Sequence, residues 1–132
     1  FKQYNDRYGH QAGDDCVRAI AALIRQMESD QIFCARYGGD EFVIIYSGMS
    51  AEEVCERAEK LRQDVMALQI EQRYTEGAFG VTISQGICHD IPSNGNKNWD
   101  FLHVADQALY RVKRRGRNRL CMTDIHGREI EV

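Results

Sequence analysis

The sequence is poor in proline, with one residue in 132, and it has no long hydrophobic run. No apolar stretch reaches the roughly 20 residues that a membrane-spanning helix needs. The sequence also lacks the C-x-x-C and H-E-x-x-H spacings of common zinc and redox sites. Neither the phosphate-binding G-x-x-x-x-G-K-[ST] loop nor the dinucleotide fingerprint G-x-G-x-x-G is present. These absences predict no membrane span within the chain and give no support to transition-metal chemistry.

An excess of positive charge is missing too. The net charge is -3, so we expect no general attraction to nucleic acid. A hydrophobic fraction of 43% with 28% charged residues is typical of a soluble globular protein of one domain. The five cysteines are odd in number and scattered beside apolar segments, which predicts buried, reduced thiols in a cytoplasmic protein.

Helical and strand-like patterns alternate along the chain. Three helices are predicted. The first is opened by Asp14 or Asp15 and ends near Ser29. The second starts at a Ser50/Glu53 capping box and is broken by residues 71–77, and the third ends at Gly116. Strands are predicted at residues 32–35, 42–46, 79–88, 117–124 and 128–132.

This order of elements predicts an α+β fold in which helices cover a largely antiparallel sheet. A strand before residue 1 would bring the arrangement close to a ferredoxin-like βαββαβ unit. Gly80 and Gly86, inside the third predicted strand, indicate a bulge or a close approach of the backbone to another segment.

The segment "RYGGDEFVII", residues 36–45, places two glycines and two acids between apolar runs. One interpretation is a plain hairpin in which Gly38 and Gly39 take positive φ and the acids are solvated. The other is that the glycines let a phosphate chain approach the backbone while Asp40 or Glu41 binds Mg²⁺, which joins one or two carboxylates to substrate phosphates. The motif alone leaves both open.

Two further segments allow the same pair of interpretations. In "FKQYNDRYGHQAGDD", residues 1–15, Asn5 and Asp14 either form a local turn and cap or recognise a base, since a carboxylate accepts hydrogen bonds from the guanine edge. In "YRVKRRGRNR", residues 110–119, the cations either form a solvated helix end or place Lys113 and Arg117, one helical turn apart, toward a triphosphate. In the second case Arg114 and Arg115 face solvent.

Taken together, these segments resemble the GGDEF domain, the catalytic module of diguanylate cyclases. The matching blocks are "FKQYNDRYGHQAGDD", "ARYGGDEFVII", "AEKLRQDV", "VTISQGI" and "ADQALYRVKRRGRNR", in family order over nearly the whole chain. The resemblance implies a nucleotidyl-cyclase or polymerase-palm-like sheet. It also implies condensation of two GTP molecules into cyclic di-GMP with release of two pyrophosphates, and two domains that meet face to face, each holding one GTP.

The resemblance assigns roles by motif position. It implies that the GTP phosphates lie over Gly38 and Gly39, that Asp40 binds metal, and that Glu41 acts beside it near the metal or the reacting 3′-hydroxyl. The expected cofactor is Mg²⁺, two ions per site, with Mn²⁺ as a substitute.

The remaining implied contacts are with the nucleotide. Asn5 and Asp14 match the guanine-contacting pair, and an aspartate at the second position fits a preference for GTP. Lys113 and Arg117 match the phosphate-binding pair. Phe1 and Lys2 match the block whose backbone and lysine lie near the β- and γ-phosphates.

Two departures from the family pattern follow. The family places a second metal-binding aspartate on a strand directly before "FK", so residues 1–132 are expected to be one GGDEF-type domain without its first strand. Such a fragment is expected to be inactive unless its parent protein supplies that strand. The product-inhibition motif R-x-x-D is expected to be missing, because Ser29 and Ile32 stand where its arginine and aspartate would be.

The expected partners are GTP, a second GGDEF domain and an upstream sensor domain in the parent protein, with no nucleic acid. The expected location is the cytoplasm, including the cytoplasmic end of a membrane-bound sensor. Two other functions stay open: a non-catalytic module that binds GTP or a protein partner, and a nucleic-acid-binding domain that uses the basic run of residues 113–119.

Overall fold

The computed structural model describes residues 10–72, 81–93, 95 and 98–131. Within these ranges the chain follows the order helix, strand, strand, helix, strand, helix, strand. It divides into two compact units, residues 1–50 with 63–81 and residues 51–62 with 82–132. The described elements therefore mix helices and strands as the α+β prediction requires.

In the first unit, helix α1 spans His10–Arg25 and buries Cys16, Val17, Ile20 and Ile24. The prediction that Asp14 or Asp15 caps this helix is wrong, since both lie inside it. The helix continues through the buried Gly13, and packing of its apolar face offsets the roughly 1 kcal/mol that a helical glycine costs relative to alanine. The predicted end near Ser29 is also late, because the helix ends at Arg25.

The same unit contains the predicted hairpin. Strand β1 (Ile32–Gly38) pairs antiparallel with β2 (Glu41–Tyr46), which confirms and extends the predicted strands. The β1 residue Ile32 is buried, and the thiol of Cys34 donates to the carbonyl of Ile24 in α1 at 3.4 Å. On the other face the cross-strand partners Phe33 and Ile45 are exposed.

Helix α2 spans Ala51–Gln72 and begins directly after Ser50, as the capping-box pattern predicted. Its residues at helical spacing are buried: Val54, Ala58, Leu61 and Val65. The helix continues through residues 71 and 72, where the sequence predicted a break. Residues 51–62 of α2 belong to the second unit and residues 63–72 to the first.

The second unit is built around a strand–helix–strand segment. Strand β3 (Gln85–Cys88) and strand β4 (Leu120–Thr123) pair in parallel, and helix α3 (Asn98–Arg114) connects them. Parallel neighbours need such a crossover, and a helix usually supplies it. The predicted strand at residues 79–88 is confirmed only for 85–88; residues 81–84 are not strand, and 79 and 80 lie outside the described ranges.

Gly86 is the point where β3 approaches α3 most closely. A Cβ atom built on this residue would lie 2.2 Å from the amide nitrogen of Leu109 and 2.3 Å from the carbonyl oxygen of Ala105. Both atoms belong to the helix backbone, so the close approach predicted for Gly86 is confirmed. Gly80, for which the same prediction was made, lies outside the described residues.

The last segment turns after β4. The Asp124 carboxylate accepts hydrogen bonds from the backbone of His126 at 2.8 Å and Arg128 at 3.0 Å, and Gly127 takes a φ of 80°. In the described part of the segment, the closing strand predicted at 128–132 is reduced to one antiparallel bridge between Thr123 and Glu129.

Asp90, just after β3, ties this turn to the end of the sheet. Its carboxylate accepts hydrogen bonds from the amides of Ile125 at 2.9 Å and Ile91 at 2.8 Å. These bonds, the Ile125 bond most strongly, lower the pKa of Asp90. Both contacts favour the ionised form, so the interaction stabilises the fold only while Asp90 is ionised.

We therefore expect acid sensitivity from Asp90. Its stabilising contribution is fully present above the unfolded-state pKa of about 3.9 and is lost as pH falls through the lower folded-state value. Urea unfolding between about pH 6 and pH 2 should show a steeper decline in stability for the wild type than for Asp90→Ala. The matched control is Asp106→Ala, an exposed aspartate of α3. Equal slopes for wild type and Asp90→Ala would contradict the expectation.

The cysteines are all free thiols, as expected. Cys16 and Cys121 are buried, but Cys34, Cys55 and Cys88 are only half-buried, so the prediction of burial is wrong for these three. Burial, followed by the nearby Asp90 and Asp124, raises the pKa of the Cys88 thiol to about 11. In the described parts of the chain, no helix has the length and apolar character required to cross a bilayer.

Candidate functional site

The tip of the β1–β2 hairpin gathers four of the predicted site residues. Gly38 pairs with Glu41 across the tip, and Gly39 and Asp40 form the turn between them. A register shift between Arg36 and Gly38 bulges β1 just before the turn. Both acids are exposed, and among the described residues neither carboxylate has a hydrogen bond or an ion pair. The tip thus presents two adjacent carboxylates to solvent.

The conformation expected for a plain hairpin is not the one observed. Neither Gly38 nor Gly39 has positive φ, so that part of the interpretation is wrong. A two-residue turn without positive φ is not of the primed type that matches strand twist, which fits the bulge beside it. A Cβ atom on either glycine would meet no described atom within 4 Å. Neither backbone conformation nor packing within the described chain therefore requires glycine here.

Arg36 stabilises this turn through hydrogen bonds that the sequence did not predict. Its Nε atom donates to the carbonyl oxygen of Gly39 at 3.0 Å, and its Nη2 atom donates to the same oxygen. The guanidinium has five N–H donors, so others remain beside the turn. The only sequence signal was the position of Arg36 two residues before Gly38.

Asp14 belongs to the same unit but to a different element. It lies in α1, is exposed, and makes no hydrogen bond or ion pair within the described ranges. An aspartate inside a helix and without a local partner is not capping that helix. Its carboxylate is thus available to a ligand, but from a position inside the helix and not from the helix start that the sequence predicted.

Lys113 and Arg117 lie in the second unit, and the structure corrects their predicted relation. Lys113 is in the last turn of α3, but the helix ends at Arg114, so Arg117 is not one turn further along the same helix. Gly116, Arg117 and Asn118 have φ values of 109°, 65° and 50°. Gly116 therefore ends the helix in the left-handed conformation that its sequence position predicted.

The basic segment is otherwise as expected. Arg114 and Arg115 are exposed; Arg114 lies 5.8 Å from the ring centre of Tyr110, and Arg115 forms an ion pair with Glu129. The side chains of Lys113 and Arg117 have no hydrogen bond or ion pair in the described part of the chain.

Three predicted site residues, Phe1, Lys2 and Asn5, lie outside the described residues. Among those described, no group of three or more His, Cys, Asp or Glu side chains is arranged to hold a metal ion. Asp40 and Glu41 are two carboxylates, and Mg²⁺ commonly takes one or two carboxylates from a protein when substrate phosphates and water complete its coordination.

Comparison with known proteins shows the family to which this chain belongs. Residues 1–119 match the family model described as "Diguanylate cyclase, GGDEF domain". A diguanylate cyclase of Vibrio cholerae is 34% identical over 92% of this chain, which spans 36% of that protein. Diguanylate cyclase DgcP of Pseudomonas aeruginosa is 37% identical over 91% of the chain, which spans 17% of it. The chain is thus similar to a minor part of each relative.

Solved structures give the same fold. The GGDEF domain of DgcB from Caulobacter crescentus, in complex with c-di-GMP, matches with a TM-score of 0.80 and 35% identity, covering 96% of this chain and 72% of that one. The active GGEEF domain of a diguanylate cyclase from Vibrio cholerae matches with a TM-score of 0.77 and 34% identity, covering 92% and 75%. The predicted α+β, palm-like fold class is confirmed.

Proposed function

Because this chain belongs to the GGDEF domain family of diguanylate cyclases, we propose that it condenses two GTP molecules into cyclic di-GMP. In each of two steps, a 3′-hydroxyl oxygen of one GTP attacks the α-phosphorus of the other. A new P–O bond forms as the bond to pyrophosphate breaks, and the hydroxyl loses its proton. Two pyrophosphates are released.

The observation that carries the proposal is the open hairpin tip. Gly38 and Gly39 are required neither by their φ angles nor by packing in the described chain, yet they stand directly before two exposed carboxylates without partners. Absence of side chains lets an external group approach the backbone closely. A triphosphate lying over this turn would use that room, and we assign the turn to the GTP phosphates.

Asp40 and Glu41 are the residues that would hold Mg²⁺ at the tip. Mg²⁺ held there with the phosphates would supply neutralisation of the charge developing on the α-phosphate and on the leaving pyrophosphate, and it would lower the pKa of the attacking hydroxyl. Manganese is the expected substitute. Arg36 keeps the turn in place through Gly39, so the two carboxylates stay beside the phosphate path.

The other predicted residues complete the binding of one nucleotide. Asp14 and Asn5 are assigned to the guanine edge, where a carboxylate accepts from donors that adenine lacks. Lys113 and Arg117 are assigned to the phosphates, as are Phe1 and Lys2. The protein's main task is then positioning of reactants, which by itself supplies a large part of the rate.

One such site holds one GTP, so the reaction needs a second domain. We propose that two copies meet face to face and that each supplies a nucleotide to the other. Product formation per protomer should therefore rise with protein concentration until dimerisation is complete.

The test is direct conversion of GTP. The whole protein that carries this chain is incubated with GTP and Mg²⁺, and the products are separated by liquid chromatography and identified by mass spectrometry. We expect cyclic di-GMP and pyrophosphate from GTP and at most traces of the adenine product from ATP. GTP that is bound by a dimeric protein but stays intact would replace the proposal with a non-catalytic GTP-binding module.

A further inference from the structure

We propose that Arg62, in helix α2, is a positioning residue that holds the phosphate-binding Arg117 in place through Asn118. This inference rests on the proposed function, because it takes Arg117 as a phosphate contact. All three residues lie in the second unit. Arg62 belongs to the block "AEKLRQDV", which no step of the proposed reaction uses.

The segment that carries Arg117 has an unusual backbone. Gly116, Arg117 and Asn118 all have positive φ, and two of the three are not glycine. Residues with a Cβ rarely adopt this region, and several in sequence persist only when surrounding contacts fix them. The backbone nitrogen of Arg117 donates to the carbonyl of Val112 at 3.0 Å, and Nε of Arg119 donates to the carbonyl of Arg117 at 3.0 Å. These contacts are local to the turn.

The contacts from outside the turn converge on Asn118. Its side-chain oxygen accepts a hydrogen bond from Nη1 of Arg62 at 3.1 Å, and its backbone nitrogen donates to the hydroxyl of Ser84 at 3.3 Å. Arg62 is 56 residues away in sequence and Ser84 is 34. Helix α2 and the segment just before β3 thus both hold the residue next to Arg117.

Arg62 is itself held in one orientation. Its Nε atom lies 3.1 and 3.0 Å from the two carboxylate oxygens of Glu59, and Nη2 also contacts Glu59. Only 19% of the Arg62 side chain is exposed. A planar guanidinium fixed on one side by a carboxylate presents its remaining donors in a defined direction. Glu59 therefore aims Arg62 at Asn118.

The consequence concerns the exposed side chain of Arg117. A flexible turn would spread this cation over many positions, and binding a phosphate would then cost the entropy of ordering it. A turn fixed through Asn118 holds the Arg117 cation near its binding position, so less entropy is lost when the phosphate binds. Loss of the Arg62–Asn118 bond should therefore weaken binding of the nucleotide phosphates without changing groups that touch the base.

The experiment measures KM and kcat for GTP in Arg62→Ala, Asn118→Gly and Arg117→Ala, with affinities for GTP and GMP from calorimetry. We expect Arg62→Ala and Asn118→Gly each to raise KM about 10-fold with kcat changed less than about 2-fold, and to weaken GTP binding more than GMP binding. Asn118→Gly tolerates positive φ, so it reports on the lost side-chain bond even where Arg62→Ala fails to fold.

The control is Arg57→Ala, an exposed arginine of the same helix with no hydrogen bond or ion pair in the described chain, which should keep wild-type constants. In the Arg117→Ala background, Arg62→Ala should raise KM no further, because it acts through Arg117. Two results would overturn this inference without touching the proposed function. One is a folded Arg62 or Asn118 variant with the wild-type KM. The other is a KM that rises as much when Arg62→Ala is added to Arg117→Ala as when it is added to the wild type. A wild type that does not bind GTP overturns the proposed function as well.

Discussion

Replacing Asp40 by alanine is expected to reduce cyclic di-GMP formation by roughly 100-fold or more while leaving the protein folded. We have assigned Asp40 to Mg²⁺, and removal of a metal ligand takes away several kcal/mol of charge stabilisation in the transition state. Each 1.36 kcal/mol corresponds to a tenfold change in rate, which sets the expected loss. Initial rates of cyclic di-GMP formation at saturating GTP measure it, and Glu41→Ala should give a loss of the same order.

The loss of activity in Asp40→Ala should not be accompanied by a loss of folding stability. Asp40 is exposed and without a partner in the described chain, and substitutions at such sites change stability by about 0.5 kcal/mol or less. Asp30→Ala, at another exposed aspartate of the same unit, is the matched control and should keep full activity. A folded Asp40→Ala protein with more than a tenth of wild-type activity would show that Asp40 does not have the assigned role.

Replacing Gly86 by alanine is expected to destabilise the protein by about 3 kcal/mol or more, at the upper end of overpacking effects. The added Cβ would lie 2.2 Å from the backbone nitrogen and 2.7 Å from the Cα of Leu109, so no side-chain rotation can relieve the contact. Helix α3 and strand β3 would have to separate, which disturbs the buried cluster of Ala108, Val112 and Cys121. Thermal unfolding should show a melting temperature lower by about 10 °C.

Gly95→Ala is the control for this prediction, because a Cβ there meets no described atom within 4 Å and its φ is not positive. It should melt within a few degrees of the wild type. A Gly86→Ala protein with unchanged melting temperature and unfolding free energy would mean that β3 and α3 adjust to the extra methyl group at little cost.

The existence of the helices and the hairpin could be predicted because each has a periodic apolar pattern, and some of their ends could be predicted as well. Ser50 before α2 and Gly116 after α3 are examples in which the local signal and the structure agree. The start of α1 could not be placed, because Asp14 and Asp15 resemble helix caps although packing carries the helix through them. The parallel pairing of β3 with β4 depends on contacts between distant residues, which periodicity does not report.

In the candidate site, too, some features could be predicted from the sequence and others could not. The adjacency of Gly38, Gly39, Asp40 and Glu41 is a matter of sequence, and the structure places all four at the hairpin tip, although the turn itself is Gly39 and Asp40 rather than the two glycines. The contacts that fix the neighbourhood of the site could not be read in advance. The bond from Arg36 to Gly39 lies beside a bulge in β1, and the bond from Arg62 to Asn118 joins residues 56 positions apart.

The glycines of this chain differ in the room that surrounds them. Gly86 has no room for a side chain inside the protein, so it must be retained as long as the fold is needed. Gly38 and Gly39 have room for a Cβ atom among the described residues, so a requirement for glycine there would come from the GTP phosphates that we assign to this turn. A related domain that did not carry out the proposed reaction would thus be free to lose the hairpin pair first. Such a domain, with Gly86 retained and the pair lost, would keep the fold without the proposed chemistry.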